Sequence, residues 1–199
     1  MPIPLNYQIS EYDCGPASLL NALSHQFDRR LIQPCVIKVI YGYTLDCCDS
    51  HRRPGQKGTS AAALRFIGEW LNDYGARCEF PIRCESLAPQ EIYLGEGSRL
   101  NQALANGAVA VTRCLLEVGH YVLLTGQQQD AALLWDPYYL EKPIRKKTIA
   151  VVEDHPYEYN RRVAFAQMNS EGKGMYSLGP VEKRECLLVW NTAKAQRSG

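Results

Sequence analysis

The spacing of apolar residues changes once along this chain, from helical to strand-like, and the change predicts the architecture. After Cys14, Leu19, Leu20, Leu23 and Phe27 recur at helical spacing, and Pro16 suits a first turn, where its missing N–H is no loss. These positions predict a helix over 15–27 that begins at Cys14. A second, short helix is expected from Pro34 through Val36, Ile37 and Ile40 to a stop at Gly42. Residues 44–58, TLDCCDSHRRPGQKG, are polar and turn-rich and read as a loop. Thr59 or Ser60 then caps the clearest helix, whose Leu64, Ile67, Leu71 and Tyr74 make one apolar stripe before Gly75 ends it. Ser98 caps a further helix that runs to Asn106 and closes at Gly107.

Beyond Gly107 the pattern turns to β. Residues 108–116, AVAVTRCLL, lead through a tight EVG connection to HYVLLT, then GQQQD, AALLW and DPYY. Two apolar runs separated by five turn-type residues predict a β-hairpin. If that loop closes symmetrically, Thr125 faces Ala131 and His120 falls opposite Asp136. Directly opposed residues have Cβ atoms about 4.5 to 5.5 Å apart, near enough for an imidazole and a carboxylate to bond. A slip of one residue would send the two to opposite faces.

From Leu140 onward the pattern weakens. EKPIRKK reads as a solvated basic stretch, residues 154–180 carry turn signals without a period, and RECLLVWN, 184–191, reads as a last strand. With no repeat, low-complexity tract or linker, a single domain over 1–199 is expected. Its core spans about 5–140, and a C-terminal extension, 141–199, packs on the same core. Helices first and consecutive antiparallel strands later make the fold α+β, with N-terminal helices on an antiparallel sheet.

Charge and composition remove several functions. With 22 basic and 21 acidic residues the formal net charge is +1, so no broad field draws in nucleic acid or an anionic membrane. MPIPLNYQIS lacks the basic and apolar regions of an export signal, and no apolar run reaches the ~18 residues of a membrane span. A cytoplasmic protein with no membrane span is expected. Eight cysteines, at 14, 35, 47, 48, 78, 84, 114 and 186, are then expected as reduced thiols rather than disulfides. None of them form the C-x-x-C pair of a zinc site. The rival reading assembles one from Cys47, Cys48, Asp49 and His51 with Cys78 and Cys84, but no metal or other cofactor is the expectation.

Cys14 is where chemistry is expected. Unpaired N–H groups and the macrodipole at a helix N-terminus stabilise a thiolate, which is the nucleophilic form. Such a thiolate needs a base held in one tautomer by a third group, and His120 with Asp136 supplies that pair. His25 lies three turns down the helix from Cys14, and His51 and His155 sit in turn-rich segments, so they read as surface residues without assigned chemistry. Gln8, six residues before Cys14, can offer its amide beside the Cys14 N–H to an oxyanion.

Gln8, Cys14, His120 and Asp136, in that order, resemble the glutamine, cysteine, histidine and aspartate of papain-like cysteine peptidases. More closely, Q-x5-D-C-G-P-A-S-L, G-T-S at 58–60, G-H-Y-V-L-L-T-G at 119–126 and D-P at 136–137 resemble the bacteriocin-processing peptidases, cysteine-peptidase family thirty-nine. The likeness spans roughly residues 5 to 140. It implies a papain-like fold and peptide cleavage through a thioester, often after a double glycine in a leader peptide, with no cofactor. Under it Cys14 attacks, His120 shuttles the proton, Asp136 orients the ring and Gln8 holds the oxyanion. Many members of that family front a membrane ABC transporter, whereas this chain is expected to act alone, carrying about sixty further residues. Two other readings use the same residues: an acyltransferase or amide-forming enzyme, in which an amine intercepts the thioester, and a non-cleaving peptide-binding module.

Overall fold

The computed structural model of the chain describes residues 3–140 and 144–195. Part of the basic stretch EKPIRKK, residues 141–143, lies outside the described residues. Helix α1 (Cys14–Gln26) begins at Cys14 and buries Leu19 and Leu23. Helix α2 (Pro34–Thr44) runs through Gly42 to Thr44, whose Oγ1 donates to Ile40 O at 2.7 Å. Gly42 is no stop because it does not take the left-handed conformation that ends a helix. Helix α3 (Ala61–Cys78) is capped by Ser60, whose Oγ accepts from Ala63 N–H at 3.1 Å.

Gly75 also lies inside its helix, and the left-handed residue that ends α3 is Glu79, at φ 51°. Close packing explains the glycine: a Cβ there would lie 2.8 Å from Ile82 Cγ2 and 2.9 Å from Phe80 O. Helix α4 (Arg99–Ala105) follows its expected cap, with Ser98 Oγ accepting from Asn101 N–H, and Gly107 just beyond it has φ +78°.

Among the described residues, seven strands make one sheet: β1 (Ile82–Ser86), β2 (Val109–Leu116), β3 (Val118–Gln128), β4 (Ala131–Trp135), β5 (Ile149–Val151), β6 (Arg161–Ala164) and β7 (Cys186–Asn191). Their order is β1-β7-β2-β3-β4-β6-β5, and every neighbouring pair is antiparallel. The fold is therefore α+β. Leu19 of α1, Ile40 of α2 and Ile67 and Leu71 of α3 join Val109, Val111 and Leu123 in one apolar cluster, while Leu100 of α4 joins Ala110, Val122 and Leu124 in another. Alternate strand residues thus enter different clusters, which is why AVAV and VLL read as unbroken apolar runs. Among the described residues no helix is long and apolar enough to cross a membrane.

Two features depart from the reading of the sequence. The segment after residue 140 is woven into the sheet, because β7 lies between β1 and β2, and β6 with β5 extends it past β4. A core complete by residue 140 would lack an interior strand. The hairpin also closes differently, with Gln128 paired to Ala131 and only Gln129 and Asp130 between them. Its register is broken once, at Thr125: Gly126 pairs with Leu133, but Leu124 pairs with Leu134 and Leu123 with Trp135. Thr125 is the extra residue of a β-bulge, and its Oγ1 donates to Leu133 O at 3.3 Å.

Extending the pairs beyond the bulge sets Asp136 across from Val122, so His120 stands two residues from the expected opposition, on the diagonal. A displacement of two preserves the face; the loop-side register without its bulge would have placed His120 and Asp136 on opposite faces.

Candidate active site

The N-terminus of α1 is fixed from both sides. Asp13, which precedes it, is buried, and its carboxylate accepts from Ile9 N–H at 3.0 Å and from the N–H and Oγ of Ser10, both at 2.6 Å. Burial alone would raise its pKa, but the bonds from Ser10 and Ile9 outweigh it and hold the carboxyl below its ordinary value. The charge thus pins the loop that enters the helix. On the other side Gly15 meets Thr59 so closely that a Cβ would lie 2.1 Å from Thr59 Oγ1. Thr59 donates to Thr44 O at 2.5 Å, Ser60 donates to Asp46, and Gly58 has φ +73°. The G-T-S triplet is thereby a brace for α1 and a cap for α3. Ser18 Oγ donates to Tyr121 O at 3.1 Å, tying α1 to the residue after His120.

Cys14 lies 8% exposed at that terminus, and its thiol is bonded to the His120 ring. The other face of the ring's chemistry is Asp136, whose Oδ1 lies 2.7 Å from His120 Nε2. An ionised carboxylate only accepts, so Nε2 carries a proton and Nδ1 is left to the sulfur. Asp136 is fully buried and takes two further bonds, from Tyr138 N–H at 2.8 Å and from the Tyr176 hydroxyl at 2.6 Å. Burial would raise its pKa, yet His120, Tyr176 and Tyr138 together hold it below the ordinary value. For His120, burial works against the charged ring; the bonds and charges of Asp136 and Cys14 prevail and push its pKa up to about 10. The site therefore favours the imidazolium form of His120.

The backbone of Asp136 is held as firmly as its side chain. Its N–H donates to Asn160 Oδ1 at 2.7 Å, and its carbonyl accepts from Asn160 Nδ2 at 2.8 Å. Arg161, also buried, donates through Nε to Tyr176 Oη at 3.2 Å and through Nη1 to Asn160 O at 2.7 Å. Asn160, Arg161 and Tyr176 were not singled out from the sequence. They lie in a stretch with no period, and the only available signal was chemical: a buried carboxylate facing one histidine needs more donors.

Gln8 is placed by its backbone, which donates to Pro137 O at 2.8 Å and so links the loop before Cys14 to the D-P turn. Its Nε2 donates to Ser10 O at 2.6 Å, leaving the second amide hydrogen, while Oε1 is buried with no partner among the described residues. Cys14 opens on a cleft of about 620 Å³, lined among others by Tyr12, Gly58, Thr59, Arg113 and Tyr121. Gln8 borders a second hollow of about 500 Å³ with Tyr138 and Tyr139, and Glu11 belongs to the walls of both. Arg113 lies against Gly119 and 3.8 Å from Glu185, to which the Tyr121 hydroxyl also donates.

The remaining histidines sit elsewhere: His25 in the last turn of α1, His51 in the 44–58 loop and His155 stacked on Tyr159. All eight cysteines are free thiols. Among the described residues no three His, Cys, Asp or Glu side chains are grouped as a metal ion requires, so Cys47, Cys48, Asp49 and His51 do not gather with Cys78 and Cys84. Neither a family model nor a curated protein sequence matches the chain.

Proposed function

We propose that this protein is a cysteine peptidase with a papain-like arrangement, in which Cys14 is the nucleophile, His120 the acid and base, and Asp136 the group that orients the ring. The reading rests on one observation above the rest: a buried His120–Asp136 pair whose ring is bonded to a thiol at a helix N-terminus that opens on a cleft. Cys14 Sγ attacks the scissile carbonyl carbon, and the carbonyl oxygen takes the charge. In this reading the Cys14 N–H donates to that oxyanion, joined by Gln8 once its amide turns from Ser10 O toward the cleft. The C–N bond then breaks, the leaving amine takes the Nδ1 proton of His120, and a thioester remains on Cys14. Water attacks the thioester as His120 accepts its proton, releasing the acid and restoring the thiolate.

The likeness to the bacteriocin-processing peptidases, family thirty-nine, agrees with this assignment, and a peptide is the partner it implies. Glu11, Gln56, Lys57 and Arg113 make the cleft wall polar. Water reaches such a site, which favours hydrolysis over transfer of the acyl group to an amine. The test is a peptide-library digestion by the wild type and by Cys14→Ala, with and without added amine. Cleavage by the wild type alone, with free acids as products, is expected. Equal cleavage by a folded Cys14→Ala would overturn the mechanism, amide products would move the assignment to acyl transfer, and binding without cleavage would leave a peptide-binding module.

A further inference from the structure

Hydrogen bonding around Asp136 runs in one direction. A guanidinium can only donate, so Arg161 obliges Tyr176 Oη to accept at 3.2 Å and turns the hydroxyl proton toward Asp136 Oδ2, 2.6 Å away. His120 donates to the other carboxylate oxygen at 2.7 Å. Each carboxylate oxygen therefore has a committed donor, and the plane of the carboxylate is fixed relative to the imidazole. Tyr176 is fully buried, Arg161 is 4% exposed, and Asn160 clamps the Asp136 backbone at both its N–H and its carbonyl. All three come from the segment beyond residue 150, which the peptidase resemblance does not cover.

We propose that Tyr176, backed by Arg161, is a positioning residue of the His120–Asp136 pair, so that the C-terminal segment sets the pH range over which Cys14 is activated. This rests on the peptidase reading for its consequence, but not for its geometry. Among the described residues, these groups face the pair. Cys14 approaches from α1, and Cys114 on β2, paired in register with His120, feels the Asp136 charge. From the turn after β4 come the Tyr138 N–H and a Tyr138 ring edge-on to His120 at 6.3 Å. Tyr176 and Arg161 complete the shell.

Of these, Tyr176 and Arg161 act only through Asp136. The Tyr176 bond stabilises the carboxylate and not the carboxylic acid, and Arg161, by making Tyr176 Oη accept, keeps the hydroxyl proton on that bond. Losing the hydroxyl lets Asp136 take up a proton at higher pH. The imidazolium beside Cys14 then loses its counter-charge.

The experiment follows peptide-resolved iodoacetamide alkylation of Cys14 against pH, together with the ring-nitrogen NMR shifts of His120. Tyr176→Phe is expected to move the acidic limb of both profiles to higher pH by about one unit, or about tenfold in alkylation rate at a fixed pH on that limb. Incorporating 3-fluorotyrosine at position 176, a nearly isosteric and more acidic donor, is expected to move it the opposite way. A folded Tyr176→Phe whose limb stays in place, with only a lowered thermal midpoint, would mean that Tyr176 merely packs. An unmoved limb in the fluorotyrosine protein would overturn the proposal as well, and that variant keeps the test open should Tyr176→Phe not fold. Failure of the peptidase reading looks different: Cys14 would react no faster than Cys35, Cys48 or Cys78 in the wild type, while the His120 shifts would still report the effect of Tyr176.

Discussion

At the scale of single residues, the site depends on which state of each titratable group is kept. Asp136 is useful only as an anion, because only then does it hold His120 Nε2–H and leave Nδ1 to Cys14. Replacing it by asparagine keeps the volume and removes the charge, and the amide can present its NH₂ where the imidazole needs an acceptor. Under the proposed peptidase function, Asp136→Asn is therefore expected to fold and to lose roughly 10³- to 10⁴-fold in kcat with KM nearly unchanged, measured on a peptide selected from the library digestion. Residue identities of this kind were legible in the sequence, since Cys14 stands at a helix start and His120 and Asp136 flank a hairpin. Their second partners were not. Tyr176 reaches Asp136 from 40 positions downstream, and Arg161 acts through Tyr176, both in a segment without periodicity, and no local rule relates such distant residues.

At the scale of elements, close approach and register matter more than propensity. Spacing located the four principal helices and the hairpin, because apolar stripes and caps are local properties. It misjudged Gly42 and Gly75 as stops: Gly75 serves close packing, whereas a Cβ at Gly42 would meet nothing within 4 Å, so that glycine marks neither a packing contact nor an end. Nor could it place the bulge at Thr125, which depends on how β3 lies on its neighbours. The expectation of a direct His120–Asp136 opposition thus named the right partners by a register that is off by two. Gly15 is the element-scale test. An added methyl would overlap both Oγ1 and Cβ of Thr59, at 2.1 and 2.7 Å, and would push the start of α1 away from the brace that holds Cys14. Gly15→Ala is expected to cost about 1 to 3 kcal/mol in urea unfolding. Gly15→Ala with Thr59→Gly should recover part of that loss, whereas a double variant no better than the single one would show that the contact is not what limits the position.

At the scale of the whole molecule, the buried pair couples the fold to pH. His120 is raised to about 10 from an ordinary 6.5, so its contribution is fully present below about pH 6.5 and is lost as the pH climbs through about 10. Asp136 is depressed, so its contribution is present above the ordinary carboxyl range and is lost as the pH falls through its folded value. Between pH 6.5 and 10 the thermal midpoint of the wild type is expected to fall more steeply than that of Asp136→Asn, whose imidazole has no counter-charge to raise it. Parallel curves for the two proteins would mean that the imidazolium is not held by Asp136. The gap should narrow toward high pH, since loss of the proton from His120 removes the advantage that the carboxylate provides.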